Sequence, residues 1–274
     1  MNIPDSVTSI GWYAFSQSGL ETVSIPDSVT TIGDQAFLQC TSLGTVNIGN
    51  KVTSIGDEAF SKCTNIATLI LDTPLLGLTK EFVATYFGDS QTKITSVTVG
   101  DSVTMIEEKA FYGCTSLKLL IIGESVTSIG DGAFYNCYNL ELVTVPNSVA
   151  SIGKEAFYNV GITNLTLSSS LTSIGESAFA KCADLLSVRV KEGGTLVIGD
   201  SAFADDVDLK EFTLDTKQMV KVLGERVWEN CAYLKYVKFR KGVKNIVGLP
   251  GNDCASGTSC ECGKGFQNVF DADS

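Results

Sequence analysis

The sequence contains no histidine. Without an imidazole the chain cannot form a Ser-His-Asp or Cys-His catalytic group, an HExxH metal motif or a two-histidine iron site. No isolated nucleophile with a neighbouring base stands out either. We therefore predict that the chain is not an enzyme and that it uses no metal or cofactor.

The chain is also poor in positive charge and in long apolar runs. It has 20 Lys and Arg against 31 Asp and Glu, a net charge of -11. This balance opposes binding to nucleic acid or anionic lipid, because both require clustered basic side chains. No apolar run approaches the roughly 18 to 20 residues that cross a bilayer. The N-terminus lacks a basic region followed by an apolar core, so we expect any targeting signal to lie outside this segment of a larger protein.

Repetition is what the sequence has in abundance. "IPDSVTSIG" begins at Ile3 and returns as "IPDSVTTIG" from Ile25, and related forms follow. A Phe recurs mostly every 22 to 24 residues, at Phe15, Phe37, Phe60, Phe111, Phe134, Phe157, Phe179 and Phe203. A degenerate unit between Phe60 and Phe111 and a last unit with Trp228 bring the total to about ten turns. A fixed period of this length predicts an elongated solenoid, because one unit cannot bury its apolar side chains alone.

Each unit changes its apolar spacing along its length. Ile66, Leu69 and Leu71 follow an L-x-x-L-x-L rhythm whose end alternates as a short strand should. "DEAFSKC" has helical spacing, and its Gly-Asp start suits a short helix or 3-10 turn. We predict an α/β repeat solenoid in which each turn holds a strand, a second extended piece and a helical turn. Irregular repeats are expected near 72–98 and 214–238, where the VTSI motif is lost.

The combination of "IPDSVTSIG", "AF", a Cys three residues after the Phe and L-x-x-V-x-I resembles the BspA-like class of leucine-rich repeats of bacterial and protist surface proteins. The resemblance covers roughly residues 3–250, and we assign 1–250 to one solenoid domain. It implies a curved array of 22–25-residue turns with a parallel β-sheet on its concave face. It also implies an extracellular or cell-surface location, a role in adhesion or protein recognition, and no catalytic residues.

Six of the nine cysteines share one repeat position. The solenoid period explains their spacing, so we predict a column of buried thiols that behave as small apolar groups. Disulfides between adjacent turns are a less favoured alternative, and zinc is less favoured still because no C-x-x-C pair is present. The column comprises Cys40, Cys63, Cys114, Cys137, Cys182 and Cys231.

The composition changes after Pro250, in "GNDCASGTSCECGKGF". We assign 251–274 to a separate cysteine-rich segment that contains Cys254, Cys260 and Cys262. "CECGKGF" resembles the C-x-C-x-x-G-F core of epidermal-growth-factor-like modules, whose next cysteine is missing before Ser274. This resemblance implies a module that continues beyond this chain, with disulfides formed in an oxidising compartment.

Two further patterns concern glycosylation and capping. Asn164 begins the one ordinary N-glycosylation sequon and is expected to point outward; a glycan there would block the strand face around it. An acidic column consists of Asp34, Asp57, Asp131, Glu176 and Asp200. We interpret these carboxylates as caps of the predicted helical turns rather than as calcium ligands.

The outward positions of the predicted strands are mostly Ser and Thr, as is typical of a solvated strand face. Exceptions are Ile70, Leu119, Ile121 and Leu142, which we predict to form an exposed apolar patch on neighbouring strands. Tyr236 and Lys238 mark a second, basic candidate surface. In the degenerate unit we expect Phe82 and Phe87 to fill the core, and we leave Tyr86 unassigned.

Two functions fit these observations. The first is an interaction module that binds a protein through the concave face, the partner being a host protein, a cell-surface protein or a second copy of the chain. The alternative is a structural subunit of an extracellular appendage or coat, assembled through contacts between repeats. Both exclude nucleic acid and direct insertion into a membrane.

Overall fold

The computed structural model describes residues 3–77, 81–191, 193–214, 219–239 and 269–270. Within these ranges the chain is a solenoid in which a regular turn carries one short and one long parallel strand. The short strands are Ser9–Ile10 (β1), Thr31–Ile32 (β3), Ser54–Ile55 (β5), Met105–Ile106 (β8), Ser128–Ile129 (β10), Ser151–Ile152 (β12), Ser173–Ile174 (β14), Thr195–Ile198 (β16) and Met219–Leu223 (β18). The long strands are Thr22–Ile25 (β2), Thr45–Ile48 (β4), Thr68–Leu71 (β6), Ser96–Val99 (β7), Leu119–Ile122 (β9), Leu142–Thr144 (β11), Asn164–Leu167 (β13), Ser187–Val190 (β15), Glu211–Leu214 (β17) and Tyr236–Phe239 (β19).

The strands form four parallel sheets. The long strands line the concave face in two sheets, ordered β11-β9-β7-β6-β4-β2 and β13-β15-β17-β19, with a further rung, Val269–Phe270 (β20), beside β19. The short strands form one sheet of β1-β3-β5 and another of β18-β16-β14-β12-β10-β8. About nine turns are regular, which confirms the predicted repeat solenoid. One irregular turn, between β6 and β7, lacks a short strand.

Alternation along each long strand decides which residues enter the core. In β4, Val46 and Ile48 are fully buried while Thr45 and Asn47 point outward. Equivalent residues of successive turns lie in register, so each apolar side chain packs against its counterpart above and below. The phenylalanines show this most clearly: Phe37 and Phe60 stack with ring centroids 4.9 Å apart and planes 1° apart. The core is therefore one continuous column through all the described turns.

The segment around each "AF" pair is a series of tight turns, so the predicted helical turn was wrong. Gln35 and Gln39 have φ of 54° and 60°, and a helix cannot contain left-handed residues at this spacing. Successive amides of this segment bond alternately to a carbonyl of the same turn and to a carbonyl of the next turn. Leu38 N–H bonds within the turn to Gln35 C=O (3.0 Å), whereas Phe37 N–H bonds to Ala59 C=O of the next turn (2.8 Å). This arrangement pairs adjacent turns on the side where no strand is present.

The irregular turn contains the helices of the molecule within the described ranges. A 3-10 helix spans Pro74–Gly77, helix α1 spans Phe82–Phe87, and a second 3-10 helix spans Gly88–Ser90. Phe87 stacks on Phe60 at 4.7 Å, and Phe82 is buried beside it, which confirms both as core residues. Tyr86 is partly buried and meets Phe82 edge-on. In the second irregular repeat a short strand persists as β18 despite the loss of the VTSI motif.

Three carboxylates of the acidic column, Asp34, Asp131 and Asp200, accept amides of the next turn, not of their own turn as predicted. Asp34 Oδ1 accepts the N–H of Asp57 (3.0 Å), and Asp131 Oδ1 accepts the N–H of Lys154 (2.7 Å). Each of these three carboxylates therefore links two turns at a corner of the solenoid. Along the described part of the chain, no helix is long and apolar enough to span a membrane.

Candidate functional site: the concave face

The concave face presents two outward residues from each long strand, which align into two rows. The strands pair in parallel register, so equivalent outward residues of neighbouring strands lie side by side. The row that starts at Thr22 is called row one, and the row that starts at Ser24 is called row two. Row one runs Thr22, Thr45, Thr68, Ser96, Leu119, Leu142, and row two runs Ser24, Asn47, Ile70, Thr98, Ile121, Thr144. Because every strand is parallel, each row is a straight path across the sheet.

Three of the predicted apolar residues form a contiguous patch. Leu119 and Leu142 are register partners on β9 and β11, and Ile121 shares β9 with Leu119. Leu142 is 64% exposed and Ile121 is 48% exposed. Ile70 is 36% exposed but lies two strands from Ile121, with Thr98 between them. Leu119, Ile121 and Leu142 are called the apolar patch below.

The sheet of the concave face is interrupted beside the apolar patch. No backbone hydrogen bond joins β11 to β13 among the described residues. One turn earlier, Leu142 N–H bonds to Lys118 C=O (3.1 Å), but the equivalent pair, Asn164 N–H and Glu141 C=O, is not bonded. Val143, which should face the core, is consequently only half-buried. We call this interruption the sheet break.

A one-residue difference in turn length accompanies the sheet break. Val143 follows Phe134 by nine residues, whereas the equivalent Leu165 follows Phe157 by eight. In the shorter turn, the three residues "VGI" (160–162) replace the usual four-residue Cys-x-x-Leu connection. The strand β13 is therefore reached one residue early and loses its register with β11, while β15 pairs with β13 normally.

A shallow cleft of about 740 Å³ opens along row two at the opposite end of the same sheet. Ser24, Asn47 and Ile70 contribute its sheet side, and Asp27 and Asp72 lie on its rim. The remaining lining comes from Asp5, Ile25, Pro26, Ser28, Gly49, Lys51 and Gly100. The lining of the cleft thus contains three carboxylates and one ammonium group.

The other predicted surface residues lie apart from the apolar patch. Asn164 is exposed at the start of β13, at the edge of the sheet break, and its side chain accepts a hydrogen bond from Ser187 Oγ (2.7 Å). Tyr236 and Lys238 lie on β19 in register with Glu211 and Thr213, while their side chains are not described. Cys254, Cys260 and Cys262 lie outside the described residues, so the cysteine-rich module stays a prediction.

The repeated cysteine position is a column of free thiols. Five of them are buried and Cys231 is half-buried. The thiol of Cys63 donates to the C=O of Phe37, one turn earlier, at 3.0 Å, and Cys40 does the same to Phe15 at 3.0 Å. Burial raises the pKa of the Cys114 thiol to about 12. The thiolate, which is the form that attacks electrophiles and binds metals, is therefore strongly disfavoured in this column.

Four turns place a different residue in the cysteine column, namely Ser18, Ser90, Val160 and Asp206. Ser90 occupies it in the irregular turn and donates to the C=O of Cys63. Asp206 occupies it after Phe203, fully buried, with Oδ1 accepting the N–H of Cys182 (2.8 Å) and Oδ2 left without a partner. Burial raises the pKa of the Asp206 carboxyl well above its ordinary value. Across the described ranges, no group of three or more Cys, Asp or Glu side chains is placed to hold a metal ion.

Sequence reasoning missed a ladder of stacked tyrosines outside the concave face. Tyr112 and Tyr135 stack at 5.0 Å, Tyr135 and Tyr158 stack at 4.7 Å, and Lys181 Nζ lies 5.4 Å from the Tyr158 ring centre. The signal was available, because each of these tyrosines directly follows the Phe of its unit. Residues at one repeat position must stack, so three successive "FY" pairs predict this ladder.

The stacked parallel strands, the aligned rows and the core columns define a leucine-rich repeat solenoid. The family model described as "BspA type Leucine rich repeat region" matches residues 1–118, 80–196 and 127–261. The chain therefore belongs to the BspA-type leucine-rich repeat family. A comparison with curated protein sequences found no significant match.

Several solved structures of leucine-rich repeat proteins are similar to this chain. A leucine-rich repeat protein of T. pallidum is 23% identical, with a TM-score of 0.50 over 69% of this chain and 77% of that one. A leucine-rich cell surface protein of Faecalibacterium prausnitzii is 25% identical, with a TM-score of 0.41 over 86% of this chain and 72% of that one. A leucine-rich repeat protein of Bacteroides ovatus is 22% identical, with a TM-score of 0.44 over 89% and 75%. The T. pallidum structure supports the fold assignment.

Proposed function

We propose that this chain is a non-catalytic protein-interaction module that acts in adhesion or recognition at the cell surface or outside the cell. The apolar patch carries this proposal. Leu142 and Ile121 are largely exposed on a sheet whose other described outward residues are mostly polar. Contiguous exposed aliphatic surface of this kind is typical of contact sites, because its burial by a partner is favourable. Membership of the BspA-type family supports the assignment to a repeat scaffold.

Substitution within the apolar patch tests the proposal. Immobilised chain would be used to capture a protein from a preparation of surface and extracellular proteins, and the dissociation constant of the purified partner would then be measured. We expect Ile121→Asp and Leu142→Asp each to weaken binding at least about tenfold, since each places an unpaired carboxylate in a contact that excludes water.

Val207→Asp is the matched control. Val207 is an aliphatic residue 41% exposed in the turn before β17, away from the concave face, and we expect its substitution to leave binding unchanged. A partner that binds both patch variants as tightly as the original chain would contradict the proposal. Light scattering and electron microscopy of native material address the alternative function, because a filament or regular array would favour a structural subunit.

A further inference from the structure

Row two connects the apolar patch to the acidic cleft without interruption. From Ile121 it passes through Thr98 and Ile70 to Asn47 and Ser24, and the last three residues line the cleft. Neighbouring strands are about 4.8 Å apart, so Asn47 lies three strand steps, or about 14 Å, from Ile121. Ile70 lies along this path and carries apolar surface up to the edge of the cleft.

The cleft carboxylates are held in place by the backbone. Asp27 Oδ1 accepts the N–H of Asn50 (3.0 Å), and Asp72 Oδ1 accepts the N–H of Ser102 (2.7 Å). These bonds fix the two carboxylates without neutralising their charge. Lys51 supplies one positive charge against Asp5, Asp27 and Asp72, so the cleft has an excess of negative charge. Such a site complements an ammonium or guanidinium group.

We infer that the concave face binds an extended segment of a partner protein that presents apolar residues to the apolar patch and a lysine or arginine to the cleft. This inference rests on the proposed function and names the chemistry of the partner. An extended chain advances about 3.3 Å per residue, so the two anchors must be separated by about four to six residues. The segment lies along row two, crossing the strands, because that row is the path that joins the two sites.

A synthetic peptide provides the probe. A fluorescein-labelled Leu-Thr-Leu-Ser-Thr-Ser-Lys-Thr-Lys peptide would be compared, by fluorescence anisotropy at low and high salt, with a peptide in which both lysines are glutamates. We expect the lysine peptide to bind at least about tenfold more tightly at low salt, and this advantage to shrink at high salt as the charges are screened.

Variants separate the two anchors. The double variant Asp27→Asn, Asp72→Asn keeps an oxygen that can accept the same backbone N–H groups but removes two charges, so it should lose the preference for lysine. Leu142→Ser should weaken both peptides to the same extent at every salt concentration. Asp131→Asn is the control, since Asp131 makes the same kind of bond at another corner, outside the cleft, and should change neither affinity.

Equal binding of the lysine and glutamate peptides, or an unchanged preference in the Asp27, Asp72 double variant, would overturn the inference. So would the absence of any binding by the lysine peptide. None of these three results contradicts the proposed function, which is decided separately by Ile121→Asp and Leu142→Asp with the captured partner.

Discussion

At the scale of single residues, Asp206 is the least favourable occupant of the cysteine column. Its carboxyl has a folded-state pKa raised by burial above the ordinary value of about 3.9. The folded chain therefore binds this proton more tightly than the unfolded chain does. The stability contributed by this group is fully present below about pH 3.9 and is lost as the pH rises through the raised pKa.

Asp206→Asn should consequently stabilise the protein at neutral pH. The amide carries no charge and keeps an oxygen to accept the Cys182 N–H, so we expect a gain of about 1 to 3 kcal/mol near pH 7.5 that shrinks towards about pH 4. Urea unfolding of both proteins at the two pH values measures this difference. Asp184→Asn, at an exposed carboxylate, is the control and should show no such trend. A gain that did not depend on pH would rule out the charge as its cause.

After most short strands the corner residue is a glycine that lies against the backbone of the preceding turn. A Cβ added to Gly130 would lie 2.6 Å from the backbone nitrogen of Glu108 and 2.7 Å from the carbonyl carbon of Glu107, neither of which can move without shifting the previous turn. Gly11 occupies the same repeat position in the first described turn, where a Cβ would meet nothing within 4 Å.

We therefore expect Gly130→Ala to destabilise the protein by about 2 to 4 kcal/mol and Gly11→Ala to change its stability by less than about 1 kcal/mol. Thermal unfolding of the two variants provides the comparison. Similar losses in both would show that glycine is needed for its backbone conformation rather than for the close approach of the previous turn.

The residues with left-handed backbone conformation explain why a helical turn was wrongly predicted around each "AF" pair. Glu58 and Lys62 have φ of 55° and 61°, yet neither residue type favours that conformation. Their positions are polar and exposed, so the amino acids seen there resemble those of a helix surface. In the regular turns, residues at these positions donate hydrogen bonds to the next turn, as when Lys181 N–H bonds to Ala204 C=O (2.8 Å), and neither propensity nor apolar spacing reveals these bonds.

At the scale of elements, the tyrosine ladder joins three turns on the surface. Tyr135 is sandwiched between Tyr112 and Tyr158 and so has a stacking partner on both faces. Tyr135→Ala removes both contacts and should cost about 1 to 2 kcal/mol. Tyr138 is 51% exposed and makes no ring contact among the described residues, so Tyr138→Ala should change stability by no more than about 0.5 kcal/mol. Chemical denaturation can resolve this difference, and equal costs would show that the stacking contributes nothing.

The strands were predictable because their signal is local. Alternation in "TVNI" and its equivalents fixes which side chains enter the core, and the repeat period fixes which strands become neighbours. The exposure of Ile70, Ile121 and Leu142 follows from the same alternation. The alternation does not predict which of these residues lie next to one another. Across the irregular turn, β7 lies between β6 and β9 and places Thr98 between Ile70 and Ile121.

At the scale of the whole molecule, the sheet break divides the concave face into two sheets while pairing continues elsewhere. The short strands β10, β12 and β14 remain hydrogen-bonded across the same turns. The Phe134 N–H also still bonds to Ala156 C=O (2.8 Å). The two parts of the concave sheet are thus joined through the other sides of the solenoid.

Hydrogen exchange should locate this division. The amide of Asn164 lacks a ladder bond, whereas those of Leu142 and Lys191 bond to the preceding turns at 3.1 and 3.0 Å. We expect the Asn164 and Thr166 amides to exchange at least about tenfold faster than those of Leu142 and Lys191, because exchange requires an amide to be free of its hydrogen bond. Comparable protection of all four amides would contradict a break in solution.

The sheet break could not be predicted from the repeat pattern alone. In the repeat pattern, Phe157 and Leu165 are ordinary members of their columns. The turn between them is one residue shorter than usual, and the pattern allows turn lengths to vary by that much. Only the structure shows that this shortening shifts β13 out of register with β11, so that the hydrogen bonds between the two strands are lost. The position of the break beside Leu142 is likewise a property of the assembled turns.

The directions of the hydrogen bonds give the solenoid an electrical property that bears on its length. On the strand sides, amides point back towards the first turn, as when Gly33 N–H bonds to Ile10 C=O, whereas around the "AF" pairs they point forward, as when Phe37 N–H bonds to Ala59 C=O. Peptide dipoles on different sides of each turn therefore partly cancel along the long axis, unlike those of an α-helix, which add. Added repeats therefore accumulate little axial dipole, so the peptide dipoles themselves set no electrostatic penalty on a longer array.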